Sequence, residues 1–263
     1  MRRRYRMRKI FVLAVVLLLA ASAAFAETGY ITGFENYTLD QDVMFRTPTF
    51  SGSTSGMLET TPSYTGVTDL NAHSGTQSLR VDWQWKAAQT SPWLRLTTYS
   101  TATSTLPLGN PTISINNRFG FWILLPSGTP DIKLGIAVRE DNSTQPIGAS
   151  GTASGGIEFV GCTGFAAPTR TITASDSWQY VEFVLPQEPV VAFAGTTANG
   201  KLESTTGKGN LESLVITPTD PNNVGPYTIF LDDFAVVPEP GSLLAIGTGL
   251  IGMIGFAIRR RRA

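Results

Sequence analysis

Cysteine is almost absent. Cys162 stands alone in 263 residues, so no internal disulfide can form and stability must come from the core. A solitary cysteine of this kind reads as a small buried residue. Histidine is as scarce. With His73 the single imidazole, a metal centre built from several histidines is excluded, and a Ser-His-Asp triad would have to pass through that one ring. Charged residues make up only 15% of the chain, and no amphipathic helical repeat runs through its middle. Glycine-rich phosphate loops, zinc-ligand spacings and dinucleotide fingerprints are missing too. Carboxylate chemistry remains open. Glu140, Asp141, Glu158 and Glu182 offer acids for a glycosidase, although no short motif joins any two of them.

Long apolar runs occur only at the two ends. Arg2, Arg3, Arg4, Arg6, Arg8 and Lys9 precede an apolar stretch from Ile10, and Ala24-Phe25-Ala26 supplies the small residues that signal peptidase requires. Residues 1–26 therefore read as a signal peptide, with the mature chain starting at Glu27. At the other end stand Val237-Pro238-Glu239-Pro240-Gly241-Ser242, the uncharged run Leu243 to Ile258, and Arg259, Arg260, Arg261 and Arg262. The two prolines oppose helix and leave an open linker. Sixteen uncharged residues form a helix about 24 Å long. That is a little short of the roughly 30 Å hydrocarbon core, and Gly241, Ser242 and snorkelling arginines cover the difference. The arginines resist translocation and keep the terminus cytoplasmic, so everything before Val237 lies outside the inner membrane.

This ending resembles the PEP-CTERM sorting signal of Gram-negative bacteria, in which Pro-Glu-Pro precedes a transmembrane helix and an arginine cluster. The resemblance covers residues 237–263 and implies recognition by an exosortase. Removal of the helix and delivery of the body to the cell surface or exopolysaccharide matrix would follow.

Taking both ends away changes the charge. The whole chain balances 20 basic against 20 acidic residues. Six basic residues leave with the signal, and four arginines and Glu239 leave with the tail. Between residues 27 and 237 there remain 10 basic and 19 acidic residues, a net charge of −9. Nucleic acid is a poor partner for such a surface.

Residues 27–236 read as one all-β domain, an antiparallel two-sheet sandwich. Ser78 to Lys86 alternates, with Leu79, Val81, Trp83 and Trp85 on one face and Arg80, Asp82, Gln84 and Lys86 on the other. Trp93 to Tyr99 sets Leu94 and Leu96 opposite Trp93 and Arg95. Further strands are expected at 30–35, 118–125, 132–140, 156–160, 169–173, 177–185, 211–216 and 227–236. The segment 36–71 reads as a surface excursion with one or two short strands near Met57 and Tyr64, and 187–209 as a connection.

The body also resembles the galactose-binding-like jelly roll used by many carbohydrate-binding modules. Gly33-Phe34-Glu35 opens it, His73-Ser74-Gly75-Thr76-Gln77-Ser78-Leu79-Arg80-Val81 follows, and Ile229-Phe230-Leu231-Asp232-Asp233-Phe234 closes it. By this resemblance the first and last strands lie side by side. Glu35, Asp232 and Asp233 would then hold a structural calcium ion, with loop carbonyls of residues 73–76 completing its shell. Asp232 shares strand parity with Phe230 and Phe234 and is expected to point inward, where an unpaired charge is costly. Sugars stack on aromatic rings. Trp83, Trp85, Trp93, Tyr99, Trp122 and Trp178 all fall on expected strands, where most are core. Trp85 and Trp93 are the preferred exposed platforms. The resulting reading is an exported, non-catalytic surface or matrix protein that binds polysaccharide. The alternatives are a surface glycan-active enzyme working through Glu158 or Glu182, and a purely structural coat or adhesion protein.

Overall fold

A computed structural model describes residues 29–100, 108–141 and 155–237. The expected signal peptide with Ala24 and Ala26, and the tail from Pro238, Glu239 and Pro240 to Arg259, Arg260, Arg261 and Arg262, lie outside the described residues. The strands among the described residues are β1 (Tyr30–Thr32), β2 (Leu58–Thr68), β3 (Ser78–Trp85), β4 (Leu94–Thr97), β5 (Thr112–Ser114), β6 (Arg118–Leu124) and β7 (Ile132–Glu140). β8 (Ile157–Val160), β9 (Arg170–Ile172), β10 (Gln179–Val184), β11 (Val190–Ala194), β12 (Lys208–Pro218) and β13 (Tyr227–Val237) follow.

They form two antiparallel sheets. The first runs β10-β6-β13-β3-β2, with β1 beside β13. The second runs β11-β8-β7-β12-β4, with β5 on β12 and β9 on β7. Alternation decides which side chains enter the space between them. Leu79, Val81, Trp83 and Trp85 of β3, Phe119, Phe121 and Ile123 of β6, and Tyr227, Ile229 and Leu231 of β13 meet Leu94 and Leu96, Leu134 and Ile136, and Leu214 and Ile216 of the second sheet. A smaller cluster of Trp93, Ala137, Phe159, Cys162 and Val215 lies on the second sheet's other face.

Several expectations need correction. The excursion after Glu35 contains one eleven-residue strand, β2, because it pairs with β3 through residues 63–68. Val190–Ala194 is a strand inside the segment read as a connection, and Thr112–Ser114 is a short strand beyond the expected ones. Asp232 does not point inward. Asp233 adopts a left-handed φ of 49°, and the register of β13 against β6 shifts between Asp232 and Ala235. This bulge inserts an extra residue, so Leu231 and Phe234 both face the core and Asp232 faces the opposite way. Asp232 is nonetheless fully buried, because the loop before β3 folds over it.

Candidate functional site

The loop after β2 gathers the three acids expected to bind calcium. The backbone N–H groups of His73 and Ser74 donate to Asp232 Oδ2 at 2.9 and 3.2 Å, and the N–H of Asp233 donates to Oδ1 at 2.7 Å. Asp233 lies 2.7 Å from His73 Nδ1 and accepts from Ser74 Oγ at 2.8 Å and from Tyr30 Oη at 3.3 Å. Glu35 Oε1 accepts the N–H groups of Thr76 and Gln77 at 2.9 and 2.8 Å, and Oε2 accepts the Thr76 hydroxyl at 3.0 Å. The sequence brings these residues together as expected, and the loop offers them N–H and O–H donors. Among the described residues no three His, Cys, Asp or Glu side chains group closely enough to hold an ion. As arranged, Glu35, Asp232 and Asp233 are each held by these donors. They form a hydrogen-bonded clasp between the two ends of the body.

The clasp titrates in two directions. Burial pushes the Asp232 carboxyl up to about 6, with the charge of Asp233 adding to it and the N–H donors opposing it. Burial alone would also raise Glu35, but the donors from Gln77 and Thr76 outweigh it and hold that carboxyl below its ordinary value. The folded state thus binds the Asp232 proton more tightly than the unfolded chain does. Its contribution to stability is full below the ordinary carboxylate range and lost as pH rises through about 6. Glu35 works oppositely, and its contribution is lost on acidification. The melting temperature is expected to fall between pH 5 and pH 7. Asp232→Asn should flatten that slope, and a chelator should leave the curve unchanged. A drop in melting temperature on chelation would instead support a calcium ion at these acids.

The expected sugar platforms are misplaced. Trp85 is fully buried, edge-on to Trp83 at 5.5 Å and to Tyr227 at 4.7 Å, because it shares the core parity of β3. Trp93 does face outward from the second sheet, yet Phe159, Phe165 and Phe193 close around it at 5.8, 5.5 and 6.0 Å. Accessible rings stand on the outer face of the first sheet. Trp122 of β6 and Tyr180 of β10 are register partners with ring centroids 5.3 Å apart. His73 stacks on Trp122 at 3.8 Å, and Trp178 meets His73 edge-on at 5.8 Å. Trp122 and Trp178 are half-buried, and Tyr180 is 43% exposed. Gly120 is what lets Tyr180 lie down: a Cβ there would come within 2.3 Å of the tyrosine hydroxyl and 2.7 Å of Cζ. Beside the rings, Arg118 Nη1 donates to Glu182 Oε1 at 2.9 Å. Parity carried the signal for this patch, since Trp122 alternates against Phe121 and Ile123, and Tyr180 against Val181 and Phe183.

Other polar side chains are structural. On the second sheet's outer face, Glu212 Oε1 accepts from Arg95 Nη2 at 2.8 Å and Arg139 Nη2 at 3.0 Å, and Oε2 accepts from Arg139 Nε at 3.0 Å. Burial pulls the Arg95 pKa down, the nearby Arg139 charge adds to this, and Glu212 opposes it. Glu158 and Glu182 do not converge. Glu158 is buried on β8 of the second sheet, holding the N–H groups of Asn199 and Gly200, while Glu182 is on β10 of the first. Cys162 is buried, and burial pushes its thiol up to about 12, which leaves it an inert packing residue.

A family model described as the PEP-CTERM protein-sorting motif matches residues 236–262. No curated protein matches the chain. Among solved structures it is similar to the family 11 carbohydrate-binding module from Clostridium thermocellum in complex with a beta-1,3-1,4-mixed-linked tetrasaccharide. That match has 12% identity and a TM-score of 0.45, and covers 80% of this chain and 95% of that one. It is also similar to the family 30 carbohydrate-binding module of a cellulosomal cellulase of Clostridium thermocellum, at 16% identity, with 77% and 96% coverage and a TM-score of 0.37. A third is the CBM22-1 xylan-binding domain from Paenibacillus barcinonensis, at 14% identity, with 75% and 97% coverage and a TM-score of 0.29. These are likenesses of fold.

Proposed function

We propose that this chain, which ends in a PEP-CTERM motif, serves at the cell surface as a non-catalytic carbohydrate-binding protein. The motif implies export, transient anchoring in the membrane and processing by an exosortase. A signal peptidase acting after Ala26 and deposition in the extracellular matrix of a Gram-negative bacterium complete the route. The observation that carries the binding role is the ring cluster of His73, Trp122, Trp178 and Tyr180 on the first sheet's outer face, with Tyr180 laid across Gly120.

The chemistry suits a sugar. Aromatic faces take the C–H faces of a pyranose, while the Arg118–Glu182 pair and the Ser74 and Asp233 side chains beside the rings offer donors and acceptors to hydroxyls. An enzyme would need two carboxylates facing each other across a groove, and Glu158 and Glu182 stand on different sheets.

Affinity electrophoresis against gels containing β-glucan, xylan, galactomannan or alginate tests the proposal. The full chain should be retarded by at least one neutral polymer. A Trp178→Ala, Tyr180→Ala variant should lose roughly tenfold or more in affinity with its melting temperature retained. Equal mobility in every gel would favour a purely structural coat role.

A further inference from the structure

A second feature of the same face has no part in the ring cluster. An open cavity of about 400 Å³ lies over β2 and β3, lined by Leu39, Asp40, Tyr64, Leu70, Arg80 and Asp82 among others. Its polar groups are held before any ligand arrives. Arg80 Nε and Nη2 reach the two oxygens of Asp82 at 3.0 and 2.8 Å, and Thr228 of β13 donates to Asp82 Oδ1 at 2.8 Å. Tyr64 Oη donates to Asp40 Oδ1 at 2.6 Å. The Tyr64 ring is laid down as Tyr180 is. A Cβ on Gly66 would stand 2.3 Å from the Tyr64 hydroxyl and 2.7 Å from its Cζ. Two apolar side chains wall the opening, Leu39 at 48% and Leu70 at 62% exposure.

The same device, a tyrosine flattened over a glycine, thus occurs on both flanks of one face. Between them lies β13, with Thr228 paired to Asp82 and Asp232 paired to Trp122. The five strands from β2 to β10, spaced about 4.8 Å apart, put roughly 19 Å between the two edges. That is more than one sugar ring spans and is within reach of a chain of several. We infer that the cavity over β2 and β3 is a second subsite on this face, and that the ligand is a neutral linear polysaccharide bound along an internal stretch crossing the sheet from β10 to β2. The inference rests on the carbohydrate-binding reading above and extends it to ligand length and charge. Neutrality follows from the cavity's own side chains: Arg80 is spent on Asp82, and Asp40 and Asp69 face the same space, so a uronate would meet repulsion. A neutral hydroxyl finds both acceptors and donors there.

The test is calorimetric titration of the full chain in detergent with two- and six-unit fragments of the neutral polymers in the gel panel and of alginate. The six-unit fragment should bind at least about tenfold tighter than the two-unit one. Gly66→Ala, which displaces the Tyr64 ring, should bring the six-unit affinity down to that of the two-unit fragment. Leu70→Arg, at an exposed position remote from the core, should do the same if Gly66→Ala folds poorly. Equal affinities for the two fragments in the wild type, or six-unit affinity unmoved by both substitutions, would overturn the second subsite and leave the ring cluster standing. Binding of neither fragment would overturn both, and tighter binding of alginate fragments would overturn the assignment of charge.

Discussion

Replacing Glu212 by alanine is expected to destabilise the domain by about 3–5 kcal/mol, the usual cost of stripping one partner from a buried ion pair. Glu212 is the shared acceptor of Arg95 and Arg139, all three side chains being largely removed from water. Without the carboxylate, two guanidinium groups face each other across strands β4, β12 and β7 and lose the negative charge they share. Arg95 is already under strain from burial and from Arg139. Urea unfolding followed by tryptophan fluorescence reads the loss directly as a shift in midpoint. Glu212→Gln should fall between the two, because it keeps an acceptor and loses the charge. A shift below about 1 kcal/mol for Glu212→Ala would show that the arginines find water instead, and that this face is wetter than its burial indicates.

Phe234→Ala is expected to cost a comparable 3–5 kcal/mol or so, for a different reason. The Phe234 ring is fully buried at the junction of four others. It stacks on Phe121 at 4.7 Å and meets Phe34, Phe45 and Phe119 at 6.0, 5.9 and 6.2 Å. Removing it leaves a void bounded by rings on β6 and by the segment after β1, none of which can collapse without moving the others. Phe230→Ala, four residues earlier on the outer face of the same strand, should cost less. A reversal of that order would mean that the bulge at Asp233 has been placed at the wrong residue.

That bulge also marks where the sequence stops being legible. Strict alternation was enough for β3, whose apolar and polar residues fall on opposite faces with no interruption. It failed at Asp232, because one extra residue reverses every later face, and Asp-Asp looks the same whether or not the backbone turns left-handed there. β11 was missed for a related reason. Val-Val-Ala-Phe-Ala has no polar alternation and lies among glycines and threonines, so only its partner β8 identifies it. The candidate site shows both outcomes. The nearness of Glu35 to Asp232 and Asp233 followed from the jelly-roll resemblance, whereas the donors on Asp232 and most of those on Glu35 are backbone N–H groups, which no side-chain pattern reports. Trp85 and Trp93 were preferred over Trp122 and Trp178, although alternation within β6 and β10 already placed Trp122 and Tyr180 on the side away from the phenylalanines. What alternation does not say is which outer face stays open.

The position of β13 has a mechanical consequence. It is a central strand, gripped by β6 along one side and by β3 and β1 along the other, and its last two residues, Val236 and Val237, already lie within the matched sorting motif. While the tail is fixed in the bilayer, any drag on the body runs lengthwise down this strand and loads many rungs on both flanks at once. An edge strand in that position would carry the same load on the rungs of one flank only. The tether therefore leaves from the part of the sandwich best able to bear tension until it is cut.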